Sequence, residues 1–441
     1  MPTFSIENFG CRATEADASA LSISLLASGL ILAADQNAAD VVVLNTCTVT
    51  AAADAQAREA VRKIHRANPA ARIVVTGCYA QRAPDELASI AGVEWVVGNS
   101  QQGEIPEILR AHQPRAASND FVLAADLEAD ALSLARGPAK ILTGDIFAQS
   151  TVLTAPAALS THDRTRPILK IQDGCNNRCS YCVIPFVRGT SRSLPPDEVV
   201  GGVRALCAAG AKEIVLSGIN LGSYGRDLVP RAALTEIVRR ILDESTLDQL
   251  RFSSIEPQDV TEDFVALVAS SPRIARHFHI PLQSGSDRIL RAMHRWYRAA
   301  HYAERVHLIR RMLPDAAIGA DVIVGFPGET GAEFGETVEF VERLPFTYLH
   351  VFSFSERPGT AAAALDERVP AHAIRERART LRDRSQQKAA EFRATQAGRS
   401  LRALTLARGD DTQTEALTGN YLKVQIAGRH SANEWHEVSL E

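Results

Sequence analysis

Short apolar runs rich in Val, Ile and Leu recur along most of the chain, and nearly every one is followed by residues at helical spacing. This alternation constrains the fold more than any other feature. Strand–helix–strand repeats bury their strands from both sides and build parallel sheets. Toward the N-terminus the runs are Phe4–Phe9, Asp40–Leu44, Arg72–Val75 and Glu94–Val97, with helices expected over Glu15–Leu32, Ala51–Ala67 and Pro84–Ile90. Beyond Pro167 they lie at 168–172, 213–218, 250–255, 277–282, 318–325 and 348–354. The clearest helices there are Asp287–Met312 and Gly331–Leu344. Six such repeats suggest an open, partial version of the eight-unit barrel. The expected class is α/β in several parts: a parallel domain at 1–111, an inter-domain segment with some strand content at 112–164, and a partial (βα)6 barrel at 165–369. A connecting helix at 370–397 and a small β module at 398–441 complete it, with strands at 401–407, 421–427 and 436–441.

Composition narrows the class of protein. With 46% hydrophobic and 23% charged residues in 441, the chain can bury a large core and is neither disordered nor membrane-embedded in character. Residues 18–34 look superficially like a signal segment. Acidic Glu15 and Asp17 flank them, and Ser19, Ser22, Ser24, Ser28 and Gly29 interrupt them, so a buried helix is the better reading. Seven cysteines are too few and too odd for a disulfide framework. The expected setting is cytoplasmic, and the expected use of the cysteines is metal binding or reactivity.

Cys175-Asn-Asn-Arg-Cys179-Ser-Tyr181-Cys182 directly follows the strand at 168–172. Three thiolates this close can ligate three irons of one cluster and leave the fourth open, as catalysis requires. A structural zinc usually shows two paired sets, and no second pair lies nearby. Cys11, Cys47 and Cys78 form another pattern: each follows an apolar run, separated by 36 and 31 residues, about one βα repeat. Successive parallel strands lie side by side with their C-terminal ends on one edge, so these three cysteines should converge. Three unrelated buried cysteines are the plain alternative, which the repeated placement argues against. Gly10, Gly77 and Thr46 leave room for a bulky group there, and Cys207 reads as an ordinary core residue.

The C-x3-C-x2-C spacing resembles the radical S-adenosylmethionine (SAM) superfamily, and both triads in this order resemble its methylthiotransferases. Segments 45–50, 76–81, 174–193, 217–225, 253–257, 279–290, 320–330 and 350–360 resemble the branch called MtaB, which acts on N6-threonylcarbamoyladenosine (t6A) beside the tRNA anticodon. The resemblance implies two [4Fe–4S] clusters. An auxiliary one would sit on Cys11, Cys47 and Cys78, and a SAM-binding one on Cys175, Cys179 and Cys182. SAM is the implied cofactor, tRNA (its anticodon loop) the implied partner, and a reducing protein and a sulfur donor are further partners. Tyr181, Ser217, Gly218, Ser254, Glu256, Gln283, Ser284, Asp321, Gly325 and Gly328 are the implied SAM-site residues, with the turn from Asp321 to Glu329 near the adenine. The terminal module resembles an RNA-gripping TRAM module but is short for a full barrel. After Cys11 the chain reads Arg-Ala-Thr-Glu where the family commonly has Arg/Lys-Val-Asn. The same chemistry on isopentenyladenosine or on a ribosomal-protein Asp is the alternative, and a non-catalytic iron–sulfur tRNA-binding protein a further one.

The net charge of −4 hides a segregation. Residues 288–311 carry +6, interleaved with His294, Trp296, Tyr297 and Tyr302, and residues 368–402 carry +7, leaving −17 elsewhere. Arginines beside exposed aromatics suit unpaired bases; the plain alternative is a solvated helix face.

Overall fold

A computed structural model describes residues 1–35, 38–112, 139–154 and 165–440. The chain divides into two units, Met1–Pro156 with Val183–Thr190, and Ala157–Cys182 with Ser191–Glu441.

In the first unit the β-branched runs become β1 (Thr3–Asn8), β2 (Ile31–Leu32), β3 (Val41–Thr46), β4 (Arg72–Gly77), β5 (Val93–Val97) and β6 (Lys140–Leu142). They form one parallel sheet in the order β2-β1-β3-β4-β5-β6. The helix Ala51–Ala67 lays Ala57, Val61 and Ile64 against Val42, Leu44, Ile73 and Val75 on one face. On the other face Leu21 and Leu25 of the helix Arg12–Ala27 pack on Phe4, Val41, Val43 and Trp95. That helix was expected to run from Glu15 to Leu32. It begins at Arg12 and ends at Ala27 because Gly29, at φ +88, turns the chain back and releases Ile31–Leu32 to pair beside β1. The strand expected within 112–164 is β6, the last strand of this sheet; 113–138 and 155–164 lie outside the described residues.

The second unit carries β7 (Ile168–Asp173), β8 (Arg192–Ser193), β9 (Glu213–Gly218), β10 (Gln249–Phe252), β11 (His277–His279), β12 (Ala317–Val324) and β13 (Tyr348–Ser353). Parallel pairings join β7-β9-β10 and β11-β12-β13, and the bridges Leu250↔Ile274 and Ser254↔His279 carry the order across from β10 to β11. The result is a partial barrel of six parallel strands, with β8 added antiparallel to β7. The helix expected over Asp287–Met312 is two, Asp287–Ala292 and Ala299–Met312. Between them His294 takes φ +56, and Arg295 and Tyr297 turn into the core. Tyr297 donates its hydroxyl to the carbonyls of Pro281 and Leu282, and Tyr302 to that of Ile280. Both tyrosines are therefore buried rather than available to bases, which leaves His294 and Trp296 as the exposed members of the four interleaved rings. Cys207 is half-buried, since the helix Pro196–Ala208 turns Val199, Val203 and Leu206 inward instead.

After the helix Ala371–Ala394 come β14 (Ser400–Gly409), β15 (Gln413–Thr418), β16 (Lys423–Ala427) and β17 (Trp435–Ser439), antiparallel in the order β16-β15-β14-β17. The sequence pattern missed β15, whose buried face of Thr414, Ala416 and Thr418 carries no large apolar residue. This sheet is tied to the barrel. Arg251 pairs with Glu213 (2.7 Å) and donates to the carbonyls of Thr418 and Gly419, while Tyr421 stacks on His277 at 4.1 Å. Among the described residues no helix is long and apolar enough to cross a membrane.

Candidate active site

In the first unit the parallel register sets Asn8 beside Asn45 and Thr46 beside Gly77, so the residues that follow these strand ends share one edge. Cys47 and Cys78 follow at once, and Cys11 caps the helix Arg12–Ala27 after Gly10. The structure places the three thiols within electrostatic reach of one another. Burial, then the neighbouring sulfurs of Cys78 and Cys11, push the Cys47 thiol up to about 12. Burial likewise pushes Cys78 up. Thiols that resist ionisation because their anions would repel are relieved when cations bind them, so the donor set fits a cationic cluster.

The walls of this site are built for close approach. Gly10 has φ +125, and a Cβ there would lie 2.4 Å from the Cys47 Cβ and 3.0 Å from its sulfur. Thr14 donates its hydroxyl to the Cys11 carbonyl at 2.7 Å, and Asn45 donates to the Thr14 carbonyl. Asn99 reaches both the Val187 carbonyl (2.8 Å) and the Cys78 sulfur (3.6 Å). Arg188, fully buried with Asp17 at 2.7 Å, places a positive charge that favours the thiolates of Cys47 and Cys78. Sequence reasoning did not find the roles of Asp17, Asn99 or Arg188; Asp17, one of two acids with Glu15 on an otherwise largely apolar helix, was the available signal. We predict that Gly10→Ala lowers bound iron from about eight to about four atoms per chain, checked by iron analysis after anaerobic reconstitution.

In the second unit the loop after β7 carries Cys175, Cys179, Tyr181 and Cys182, all half-buried. Gln172 fixes its base, donating to the carbonyls of Asp173 and Gly174 and to Ser191 Oγ, and accepting from Asn220 N. Ser180 anchors the loop to the carbonyls of Met293 and Ala292. Arg295 joins two expected site residues: it donates to the Cys179 sulfur at 3.4 Å and forms an ion pair with Glu256. Burial pushes the Glu256 carboxyl up, and Arg295 opposes that. Tyr181 packs over Ile289, Met293 and Phe326, with its hydroxyl pushed up by burial.

The remaining expected residues divide. Ser217 and Gly218 end β9, and a Cβ at Gly218 would meet Gln172 Oε1 at 2.8 Å. Ser254 sits level with His279. Gln283 takes φ +68, its N–H bonded to the Asp321 carbonyl and its own carbonyl to Ile323 N. Ser284 is buried against Thr337. Asp321 lies within β12, where its carboxylate meets His279 (2.9 Å) and His350 (3.3 Å). Gly325 and Gly328, both at φ +78, face Ile374 and Glu367 respectively. The structure thus gathers Tyr181 and Glu256 around the cysteine loop through Arg295, and sets Ser284, Gly325 and Gly328 against other elements.

Residues 3–98 match the uncharacterized protein family UPF0004, and residues 169–341 match the radical SAM superfamily. The threonylcarbamoyladenosine tRNA methylthiotransferase MtaB of Aquifex aeolicus is 36% identical, over 96% of this chain and 96% of its own length. That of Bacillus subtilis is 35% identical, over 97% and 91%. A tRNA-2-methylthio-N(6)-dimethylallyladenosine synthase of Thermobifida fusca is also 36% identical, over 91% and 77%. Among solved structures, the radical SAM methyltransferase TsrM of Kitasatospora setae shares the fold with a TM-score of 0.58, at 17% identity, over 82% of this chain and 77% of its own.

Proposed function

The chain belongs to the radical SAM tRNA methylthiotransferases, and from that premise we propose that it converts t6A at position 37 of tRNA to its 2-methylthio derivative. The observation that carries the reading is the pair of cysteine triads, each at parallel-strand ends, in a chain matched end to end by enzymes named for t6A. Cys11, Cys47 and Cys78 would hold one [4Fe–4S] cluster and Cys175, Cys179 and Cys182 another, and with SAM these would supply the radical, sulfur and methyl chemistry that a C2 methylthiolation needs.

What the chain itself contributes is charge and position. Arg188 neutralises part of the thiolate charge in the first unit, and Arg295 does so at Cys179, locked by Glu256. Gln172 and Ser180 hold the cysteine loop rigid, so its thiols are pre-arranged. No side-chain base is assigned. The anticodon loop is single-stranded, so the adenine can be splayed out without melting a duplex.

Arg375, Arg379 and Arg382 project at helical spacing from one exposed face of Ala371–Ala394. This supports a phosphate-tracking surface for tRNA. Changing Arg375 and Arg379 together to Ala should weaken tRNA binding at low salt and reduce the slope of log Kd against log salt by about 2.

The dimethylallyl relative, equal in identity to the first MtaB relative, keeps a second substrate in view. Nucleoside mass spectrometry of tRNA from a strain lacking the gene separates the two. Our reading expects 2-methylthio-t6A to vanish and to return on complementation. Loss of the 2-methylthio form of dimethylallyladenosine, with 2-methylthio-t6A intact, contradicts it.

A further inference from the structure

Three neighbouring strands of the partial barrel place His279, Asp321 and His350 on one face. Asp321 is paired directly with His350 across β12 and β13. Gly319, two residues earlier on the same face, is paired with His279. The Asp321 carboxylate accepts from His279 Nε2 at 2.9 Å and from His350 Nδ1 at 3.3 Å. Burial works against its ionisation, yet these two contacts hold it below the usual carboxylate range, so it is an acceptor for both rings.

His279 is committed on both sides, because its Nδ1 meets the Tyr348 hydroxyl at 3.0 Å, and that hydroxyl also meets His277 Nε2 at 2.8 Å. His350 differs. Its Nδ1 is fixed by Asp321, its side chain is 52% exposed, and Phe352, two residues on along the same face, is exposed as well. The Nε2 edge of His350 is thus the open end of an otherwise buried polar chain.

Backbone bonds tie that polar chain to the strand end that carries Glu256, since Ser254 bridges to His279 and Ile255 N–H donates to the His279 carbonyl. The Asp321 carbonyl holds the N–H groups of Leu282 and Gln283. Glu256 in turn pairs with the Arg295 that touches the Cys179 sulfur. A base lying over the cysteine loop would carry its N6 substituent along a barrel face where the imidazole and carboxylate of His350 and Asp321 stand beside the apolar Ile323 and Phe352.

We propose that His350, oriented by Asp321, is the specificity-determining contact for the N6 substituent, and that it reads a carboxylate-bearing arm. An anionic arm would set the ring between two carboxylates, with Asp321 on Nδ1 and the arm on Nε2. An apolar arm would instead desolvate Nε2 without giving it a partner, which a site built around a polar contact penalises. This inference rests on the t6A reading, and it names the residue that separates t6A from its isoprenoid counterpart.

The test uses the full chain and anticodon stem-loops identical except at one adenosine: t6A, its methyl ester, and the dimethylallyl form. We expect the wild-type protein to bind the t6A stem-loop about tenfold more tightly than the ester, as a charge-assisted contact implies. In His350→Leu that ratio should fall to about 1, and His350→Gln, which keeps a polar group, should lie between. If the wild type prefers t6A but His350→Leu keeps the ratio, or weakens all three stem-loops equally, the role of His350 is overturned and the substrate reading stands. A wild type that prefers the dimethylallyl stem-loop overturns both.

Discussion

Replacing any one of Cys175, Cys179 or Cys182 by Ala will abolish 5′-deoxyadenosine formation from SAM, whereas Cys11→Ala, Cys47→Ala or Cys78→Ala will spare it while abolishing the methylthio product. The split follows from the placement of the triads. One occupies the loop after the first strand of the partial barrel, and the other the common edge of β1, β3 and β4 in a separate unit. Each substitution should also lower iron by about four atoms per chain, because a cluster held by only three thiolates loses a third of its protein ligands. Product analysis and iron content together check both halves. Loss of SAM cleavage in the Cys47→Ala protein would show that the two sites are not separable.

The largest effect on stability should come from Glu213→Gln. Glu213 and Arg251 are both wholly buried, joined at 2.7 and 3.2 Å, and Arg251 also binds two carbonyls of the terminal sheet. Removing the carboxylate strands a buried guanidinium and should cost about 3–5 kcal/mol, read from chemical denaturation. Asp411→Asn, which breaks an exposed pair with Arg429, should change stability by less than about 1 kcal/mol.

The same pair sets a pH dependence. Burial alone would raise the Glu213 carboxyl, but Arg251 and Arg166 prevail and hold it below its ordinary value of 4.5. The unfolded chain therefore takes up this proton first. The stabilisation is complete above pH 4.5 and is lost as pH falls through the lower folded value. Glu213→Gln should flatten that acid limb.

The alternation of apolar runs carried most of the fold, because strands buried on both faces must be apolar throughout. It failed where geometry departs from periodicity. A continuous helical pattern over Asp287–Met312 concealed the break at His294, whose left-handed backbone leaves no mark on side-chain spacing. β15 was missed because its inward residues Thr414, Ala416 and Thr418 are small or polar rather than large and apolar. The strand-end positions of six cysteines were legible in local wording alone. What makes their surroundings work was not. Arg188 with Asp17, and Arg295 with Glu256, are 171 and 39 residues apart, and nothing in their local context marks them as partners. Asp321 was expected on a glycine-bearing turn near the adenine. Its bonds to two histidines on neighbouring strands show up only once register is known.

The central claim meets its most direct test in one anaerobic reaction. The reconstituted, reduced protein would be given SAM, a sulfur source and a t6A-containing anticodon stem-loop, with RNA and small-molecule products read by mass spectrometry. The account predicts 2-methylthio-t6A accompanied by 5′-deoxyadenosine. Formation of neither product by protein carrying about eight irons, or methylthiolation of the dimethylallyl stem-loop alone, would contradict it.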